Sequence, residues 1–416
     1  MTTSKARSNL PLAFHLMVKP TGAICNLDCQ YCFYLAKEML YPYSRFRMAE
    51  NLLELYVQQL LESHSYTSEV MFCWQGGEPT LMGLDFFRLA VKYVEKHRKP
   101  HHQNIIYSLQ TNGTLLDEQW CSFFKQHNFL VGLSIDGTQR LHDHYRVTKK
   151  GQGTFAKVMK AYQLLKSHEV ETNVLCTVNK VNSNYPLEVY RFFRDELEAR
   201  FLQFIPIVEP EPQAELLFQE LKSQTTVSNY SVEAQQFGNF LNTIFDEWIR
   251  QDVGKVFVQH FDTALSNWLG IAPSVCIFSQ TCGLALALEH NGDVYCCDHF
   301  VEPQHKLGNI QETHLSDLVN SQQQQQFGRA KRDTLPDYCR KCEVLFACNG
   351  GCPKNRFIST PDGEPGLNYL CAGYKAFFKH IDKPMKIMAL LLQNNCPPAE
   401  IMALLPKLKQ EIKQQK

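Results

Sequence analysis

No stretch of the chain approaches the roughly 18 consecutive apolar residues of a membrane-spanning helix, which argues against a helical membrane protein. Charge of one sign is also missing: 42 Lys and Arg face 42 Asp and Glu over 416 residues. Without a field of one sign to collect polyanions, the composition argues against a general nucleic-acid binder. Near the amino terminus Lys5 and Arg7 precede an apolar stretch that His15, Lys19 and Pro20 interrupt, leaving no signal-peptide core of about 7–15 residues. No repeat of solenoid length is visible. A cytoplasmic protein is expected, and its length suits two domains or one large domain with an appendage.

Cysteine, by contrast, is abundant, with 16 in the chain. In a reducing compartment clustered thiols bind metal or do redox chemistry more often than they form bridges. Cys25, Cys29 and Cys32 fall close together. Cys276, Cys282, Cys296, Cys297, Cys339, Cys342, Cys348, Cys352 and Cys371 lie far downstream, with only Cys73, Cys121 and Cys176 between the groups. Two separate metal regions are implied.

Apolar, β-rich runs occur at Phe14 to Val18, Val70 to Trp74, Ile105 to Leu109, Leu130 to Ile135, Asn173 to Val178 and Phe201 to Val208. Helical patterns follow at Ala49 to Leu61, Leu84 to Lys96, Asp117 to His127, Thr154 to His168 and Pro186 to Leu197. This alternation predicts an α/β fold of parallel βα units closing into part of a barrel. Several polar or glycine-rich signatures sit directly after strands: Lys19-Pro20 leading to Cys25, Gln75-Gly76-Gly77-Glu78-Pro79, Gln110-Thr111-Asn112-Gly113 and Asp136-Gly137. The carboxyl ends of barrel strands build the active-site mouth, so one site drawing on several strands is expected. After the Glu209 to Pro212 connection come a helix around Phe237 to Trp248, the cysteine-rich region, helix beyond Cys371 and a short helix from Pro397-Pro398. The run Gln322 to Gln326 reads as a solvated stretch, and the Lys/Gln-rich tail as frayed. The expected boundaries are a barrel over 1–235, a helical linker over 236–270, a cysteine-rich domain over 271–380 and a helical tail over 381–416.

Three thiolates on one tight loop can hold three irons of a 4Fe-4S cluster and leave the fourth open to a small molecule. The alternative from spacing is a structural zinc completed by a distant His or Cys.

Cys25-Asn26-Leu27-Asp28-Cys29-Gln30-Tyr31-Cys32-Phe33-Tyr34, followed by a strand ending in Gly76-Gly77-Glu78-Pro79, resembles the radical S-adenosylmethionine (SAM) enzymes. Gln75 to Thr80, Ser108 to Thr114 and Gly132 to Gly137, in that order, make the chain similar to the anaerobic sulfatase-maturating enzymes from about Phe14 to His380. The resemblance implies that SAM chelates the open iron, from which an electron cleaves it to a 5′-deoxyadenosyl radical. It implies that Gly76 and Gly77 approach the methionine amino group, Ser134 and Arg146 hold ribose and carboxylate, and the Tyr31 backbone and Val208 flank adenine.

The downstream cysteines resemble that family's auxiliary-cluster (SPASM) domain. The resemblance implies one 4Fe-4S cluster on Cys276, Cys282, Cys297 and Cys352 and another on Cys339, Cys342, Cys348 and Cys371. With the SAM-binding cluster this gives about twelve irons. Cys296 adjoins Cys297 and is the alternative ligand there; Cys297 is preferred because it precedes Asp298 as in the family. Cys73, Cys121, Cys176, Cys296 and Cys396 are left without a role. The resemblance makes Asp298 the base that takes a proton from a target Cys or Ser while the radical removes a hydrogen from its β-carbon. Loss of a second electron to an auxiliary cluster then leads to formylglycine. Tyr34 and Gln75 are implied substrate contacts.

The expected function is therefore a radical SAM oxidoreductase of a sulfatase polypeptide, supplied with electrons by a carrier such as flavodoxin or ferredoxin. Two alternatives are a maturase of another ribosomally made peptide, for instance one forming a thioether, and a non-catalytic iron–sulfur or zinc protein that binds a partner.

Overall fold

A computed structural model describes residues 13–100, 104–211 and 227–406. Lys5, Arg7, Pro212 and the Lys/Gln-rich tail from 407 lie outside the described residues. The chain divides into two compact units. One comprises the chain up to Leu133 with Arg146–Thr172 and Thr281–Ala330; the other comprises Ser134–Tyr145, Asn173–Gln280 and the chain from Lys331.

In the first unit the apolar runs form β1 (His15–Lys19), β2 (Glu69–Trp74), β3 (Asn104–Thr111) and β4 (Phe129–Ser134). These pair in parallel in that order. Helices Glu50–Ser63, Leu84–His97 and Glu118–Gln126 follow the first three strands, as the apolar periodicity predicts. Asp117 caps the last of these by accepting from the backbone of Gln119 and Trp120, which satisfies donors that the helix itself leaves unpaired. In the second unit β5 (Thr172–Val178) and β6 (Phe201–Pro206) continue the βα succession in parallel, and β7 (Phe257–Val258) pairs beside β6. The helix expected over Pro186 to Leu197 changes character midway: Pro186–Arg191 is α-helical and Phe192–Glu196 widens into a π-type turn.

The cysteine-rich region contributes strands that hydrophobic patterning did not announce. β8 (Ala285–Glu289) lies parallel to β1 in the register Lys19↔Glu289, and β9 (Asp293–Tyr295) and β10 (Lys306–Asn309) extend it antiparallel. The first unit's sheet therefore runs β10-β9-β8-β1-β2-β3-β4. This pairing sets the residues after β8 beside the end of β1.

The glutamine run also differs from expectation. It begins the helix Gln322–Asp333, and although its neighbours are exposed, Gln324 is buried. Its side-chain amide nitrogen, Nε2, donates to the carbonyls of Gly283 and Cys296 at 2.7 and 3.0 Å. One glutamine of the run is thus a bracket for the cysteine-bearing backbone.

Among the described residues no helix is long and apolar enough to cross a membrane.

Candidate active site

The Cys25–Cys32 loop leaves β1 through Lys19-Pro20 and is tied to the ends of β2 and β3. Gly77 N–H donates to the Gly22 carbonyl at 2.8 Å and Glu78 N–H to the Ile24 carbonyl at 2.9 Å. The approach is so close that a Cβ on Gly77 would lie 2.1 Å from the Ile24 oxygen. Gly76 has φ +120° and its absent Cβ would crowd Gly22 and Lys19. Both glycines are therefore required by the packing of the cysteine loop itself.

Glu78 organises the junction. Its carboxylate accepts from Thr80 N and Oγ1, Thr111 Oγ1 and Asn112 N at 2.7–3.0 Å. Asn112 Nδ2 in turn donates to Asn26 Oδ1 at 2.9 Å and lies 3.7 Å from Cys25 Sγ. Burial pushes the Cys25 thiol up to about 12, with Cys29 and Cys32 contributing and the Leu27 N–H opposing. Cys32 is likewise raised by burial, against the Tyr34 and Leu35 N–H groups, Arg146 and Lys19. Cys25 and Cys32 thus hold their protons in the protein alone, and a bound metal displaces such protons. Tyr31 is buried, with the Arg146 guanidinium 5.5 Å from its ring centre.

At the end of β1, Lys19 is only 1% exposed. Its ammonium pairs with Asp298, the first residue after Cys297, and lies 4.1 Å from the Tyr34 ring centre. Burial favours the neutral Asp298 acid, but Lys19 and then His299 outweigh it and hold the carboxyl below its ordinary range. Asp298 therefore stands as a buried carboxylate. Tyr34 is buried and its hydroxyl donates to Glu289. Gln75 Oε1 is buried without a hydrogen-bond partner.

In the second unit, Cys339, Cys342, Cys348 and Cys371 line one cavity with Tyr338, Leu345 and Lys375. Burial and mutual repulsion push Cys348 up to about 12 and Cys371 up to about 11. No group of three or more His, Cys, Asp or Glu among the described residues gathers around a single metal ion. Four thiols spread around a cavity fit the larger body of a 4Fe-4S cluster. Cys276 and Cys352, also in this unit, act on one another electrostatically. Buried Lys331 donates to the carbonyls of Cys276, Ile277 and Ser279. Lys354 Nζ donates to the Val208 carbonyl at 2.7 Å and pairs with Glu209. Ser134, buried, ends β4, and Asp136 accepts from Thr177 N at 2.9 Å.

In the first unit Cys282 and buried Cys296 are electrostatic neighbours, and Cys297 is half-buried. Of the thiols left without a role, Cys121 and Cys176 are buried in the core, as small apolar residues are. Cys73, in β2, and Cys396 are half-buried.

Sequence reasoning missed Lys19, Glu78, Asn112, Glu289, Gln324 and Lys331 as individual actors. Lys19, Glu78 and Asn112 lie inside the strand-end signatures, which was their only signal; a lysine closing an apolar strand would have singled out Lys19.

Residues 20–193 match the Radical SAM superfamily and residues 281–343 match the SPASM iron-sulfur cluster-binding domain. Fold and site together define a radical SAM enzyme with an auxiliary cluster domain. The chain is 45% identical over 405 residues to a serine-type anaerobic sulfatase-maturating enzyme of Bacteroides thetaiotaomicron, covering 96% of this chain and 97% of that one. It is 36% identical to a cysteine-type enzyme of Clostridium novyi, covering 88% and 95% of the two chains. A solved structure of native anSMEcpe with bound AdoMet and Cp18Cys peptide superposes with a TM-score of 0.80 at 34% identity, over 91% of this chain and 99% of that one. The chain belongs to the anaerobic sulfatase-maturating enzymes. It is a radical SAM oxidoreductase whose cofactors are SAM, a 4Fe-4S cluster and auxiliary clusters. Its reaction converts a Cys or Ser side chain of a sulfatase to Cα-formylglycine.

Proposed function

We propose that Asp298 is the base of this reaction. The observation that carries the reading is a buried, ionised carboxylate adjoining a cluster-ligand cysteine. When bound, the cofactors supply hydrogen-atom abstraction at the substrate β-carbon and an acceptor for the second electron. Asp298 receives the proton of the substrate thiol or hydroxyl, so one hydrogen atom, one proton and one electron leave in total. The resulting aldehyde is formylglycine, and a thioaldehyde reaches the same product by hydrolysis with loss of hydrogen sulfide. The Lys19 ammonium keeps the carboxylate ionised and so free to accept that proton, at some cost in its basicity. Gln75, with its unpartnered Oε1, accepts from a substrate amide, and Tyr34 flanks the peptide.

Cys25, Cys29 and Cys32 hold the SAM-binding cluster, and Gly76, Gly77, Ser134, Arg146, Val208 and the Tyr31 backbone hold SAM. Cys276, Cys282, Cys297 and Cys352 hold one auxiliary cluster, and Cys339, Cys342, Cys348 and Cys371 the other. The barrel spans 1–235, a helical linker 236–270, the auxiliary domain 271–380 and a helical tail 381–416. The enzyme works in the cytoplasm, without membrane or nucleic-acid partners, and receives electrons from a carrier such as flavodoxin or ferredoxin.

The test is anaerobic turnover of a sulfatase-motif peptide by Asp298→Asn. The variant should still form 5′-deoxyadenosine while formylglycine falls about 100-fold or more. An unchanged formylglycine yield would remove the role from Asp298.

A further inference from the structure

We infer that Lys19 is a positioning residue for the peptide oxidation, acting by fixing the Asp298 carboxylate. The inference rests on the reading of Asp298 as the base. Asp298 opens a three-residue turn, Asp298–Phe300, that has no side-chain cap. Among the described residues, Lys19 is the one side chain bonded to its carboxylate. The lysine itself has little freedom. Its stem packs beside Gly76, where a Cβ would come within 3.1 Å of Lys19 Cβ, and its ammonium sits 4.1 Å from the Tyr34 ring centre. The strand register sets Lys19 opposite Glu289, but Glu289 Oε1 takes the Tyr34 hydroxyl. The ammonium is thus directed to Asp298. An ammonium with 1% exposure is a costly group to bury, and the pair returns part of that cost only while both partners are present. The lysine touches the Gly76 turn, Tyr34 and Asp298 together, so it sets the base relative to the strand ends that carry the rest of the site.

The test compares Lys19→Met, Lys19→Arg, Asp298→Asn and the double variant Lys19→Met/Asp298→Asn, each reconstituted with iron and matched in iron content and visible absorption. Formylglycine per 5′-deoxyadenosine, and kcat and KM for the peptide, are measured, together with deuterium transfer from a β-deuterated peptide into 5′-deoxyadenosine. Lys19→Met should lose about 10- to 100-fold in formylglycine per 5′-deoxyadenosine, with the loss in kcat and deuterium transfer persisting. Lys19→Arg should recover most of it. The double variant, which leaves no unpaired buried charge and so serves even where Lys19→Met folds poorly, should be no worse than Asp298→Asn, because residues that act as a unit are not additive. Lys19→Met with wild-type coupling, a double variant whose loss is the product of the single losses, or no recovery in Lys19→Arg would each overturn the inference. An unchanged formylglycine yield from Asp298→Asn would instead overturn the reading of the base, which separates the two failures.

Discussion

Glu78 and Asn112 are joined by a 2.8 Å hydrogen bond from the Asn112 backbone to the Glu78 carboxylate, and Asn112 carries the connection on to Cys25. A carboxylate directly after a Gly-Gly turn thereby fixes the residue whose side-chain amide faces the first cysteine. Because Glu78 is fully buried and accepts four hydrogen bonds, Glu78→Ala should leave several donors unpaired at about 1–3 kcal/mol each. Reconstituted Glu78→Ala should show a lower urea midpoint and less SAM-perturbed cluster signal in electron paramagnetic resonance. Wild-type values of both would show that the junction does not depend on this residue.

His260 gives the pH dependence of stability a specific source. It is buried against Phe237 and Phe278, neither ring nitrogen has a hydrogen-bond partner, and burial pushes its pKa down to about 4. In the unfolded chain the imidazole titrates near its ordinary value, so between about pH 6.5 and 4 the unfolded state binds the extra proton. Stability contributed by the neutral ring is complete above that window and is lost as pH falls through it, by roughly 3 kcal/mol. His260→Phe should flatten the decline in melting temperature between pH 7 and 4 relative to wild type. Parallel curves for the two proteins would contradict the assignment.

Gln324 separates a structural glutamine from its solvated neighbours. Gln324→Leu removes the donor to two carbonyls beside Cys282 and Cys297 and should cost about 1–3 kcal/mol. Gln325→Leu, on the exposed side, should change the urea midpoint by less than about 0.5 kcal/mol equivalent. Iron analysis of the two variants reads the same contrast, with a loss expected in Gln324→Leu alone.

The cavity of the second unit makes a prediction about cofactor content. Cys348→Ala removes one of four lining thiols and should reduce bound iron by about four per chain while sparing the SAM-binding cluster. Iron and sulfide analysis with SAM-cleavage assay checks it; full iron content in the variant would contradict the assignment of these thiols.

Six strands and the helices between them were legible because each strand is a short apolar, β-rich run and each helix repeats its apolar face. The strand-end signatures were legible for the same reason, since a polar Gly-Gly or Thr-Asn-Gly after an apolar run marks where a strand stops. β8, β9 and β10 were not: they are three to five residues long, and β8 depends on pairing with β1 more than 250 residues away, which local pattern does not carry. Gln324 was hidden because its identical neighbours read as solvated, whereas helical geometry turns only one of them inward. Lys19 was visible as a residue but not as a partner, because its meaning comes from Asp298, which that same long-range pairing delivers.

The most direct measurement of the central claim is mass spectrometry with aldehyde trapping of sulfatase-motif peptides, one carrying Cys and one Ser, after anaerobic turnover with SAM and dithionite. The predicted result is a trapped formylglycine adduct on at least one peptide, formed only when SAM and reductant are both present. Abundant 5′-deoxyadenosine from fully loaded enzyme with no aldehyde on either peptide would contradict it.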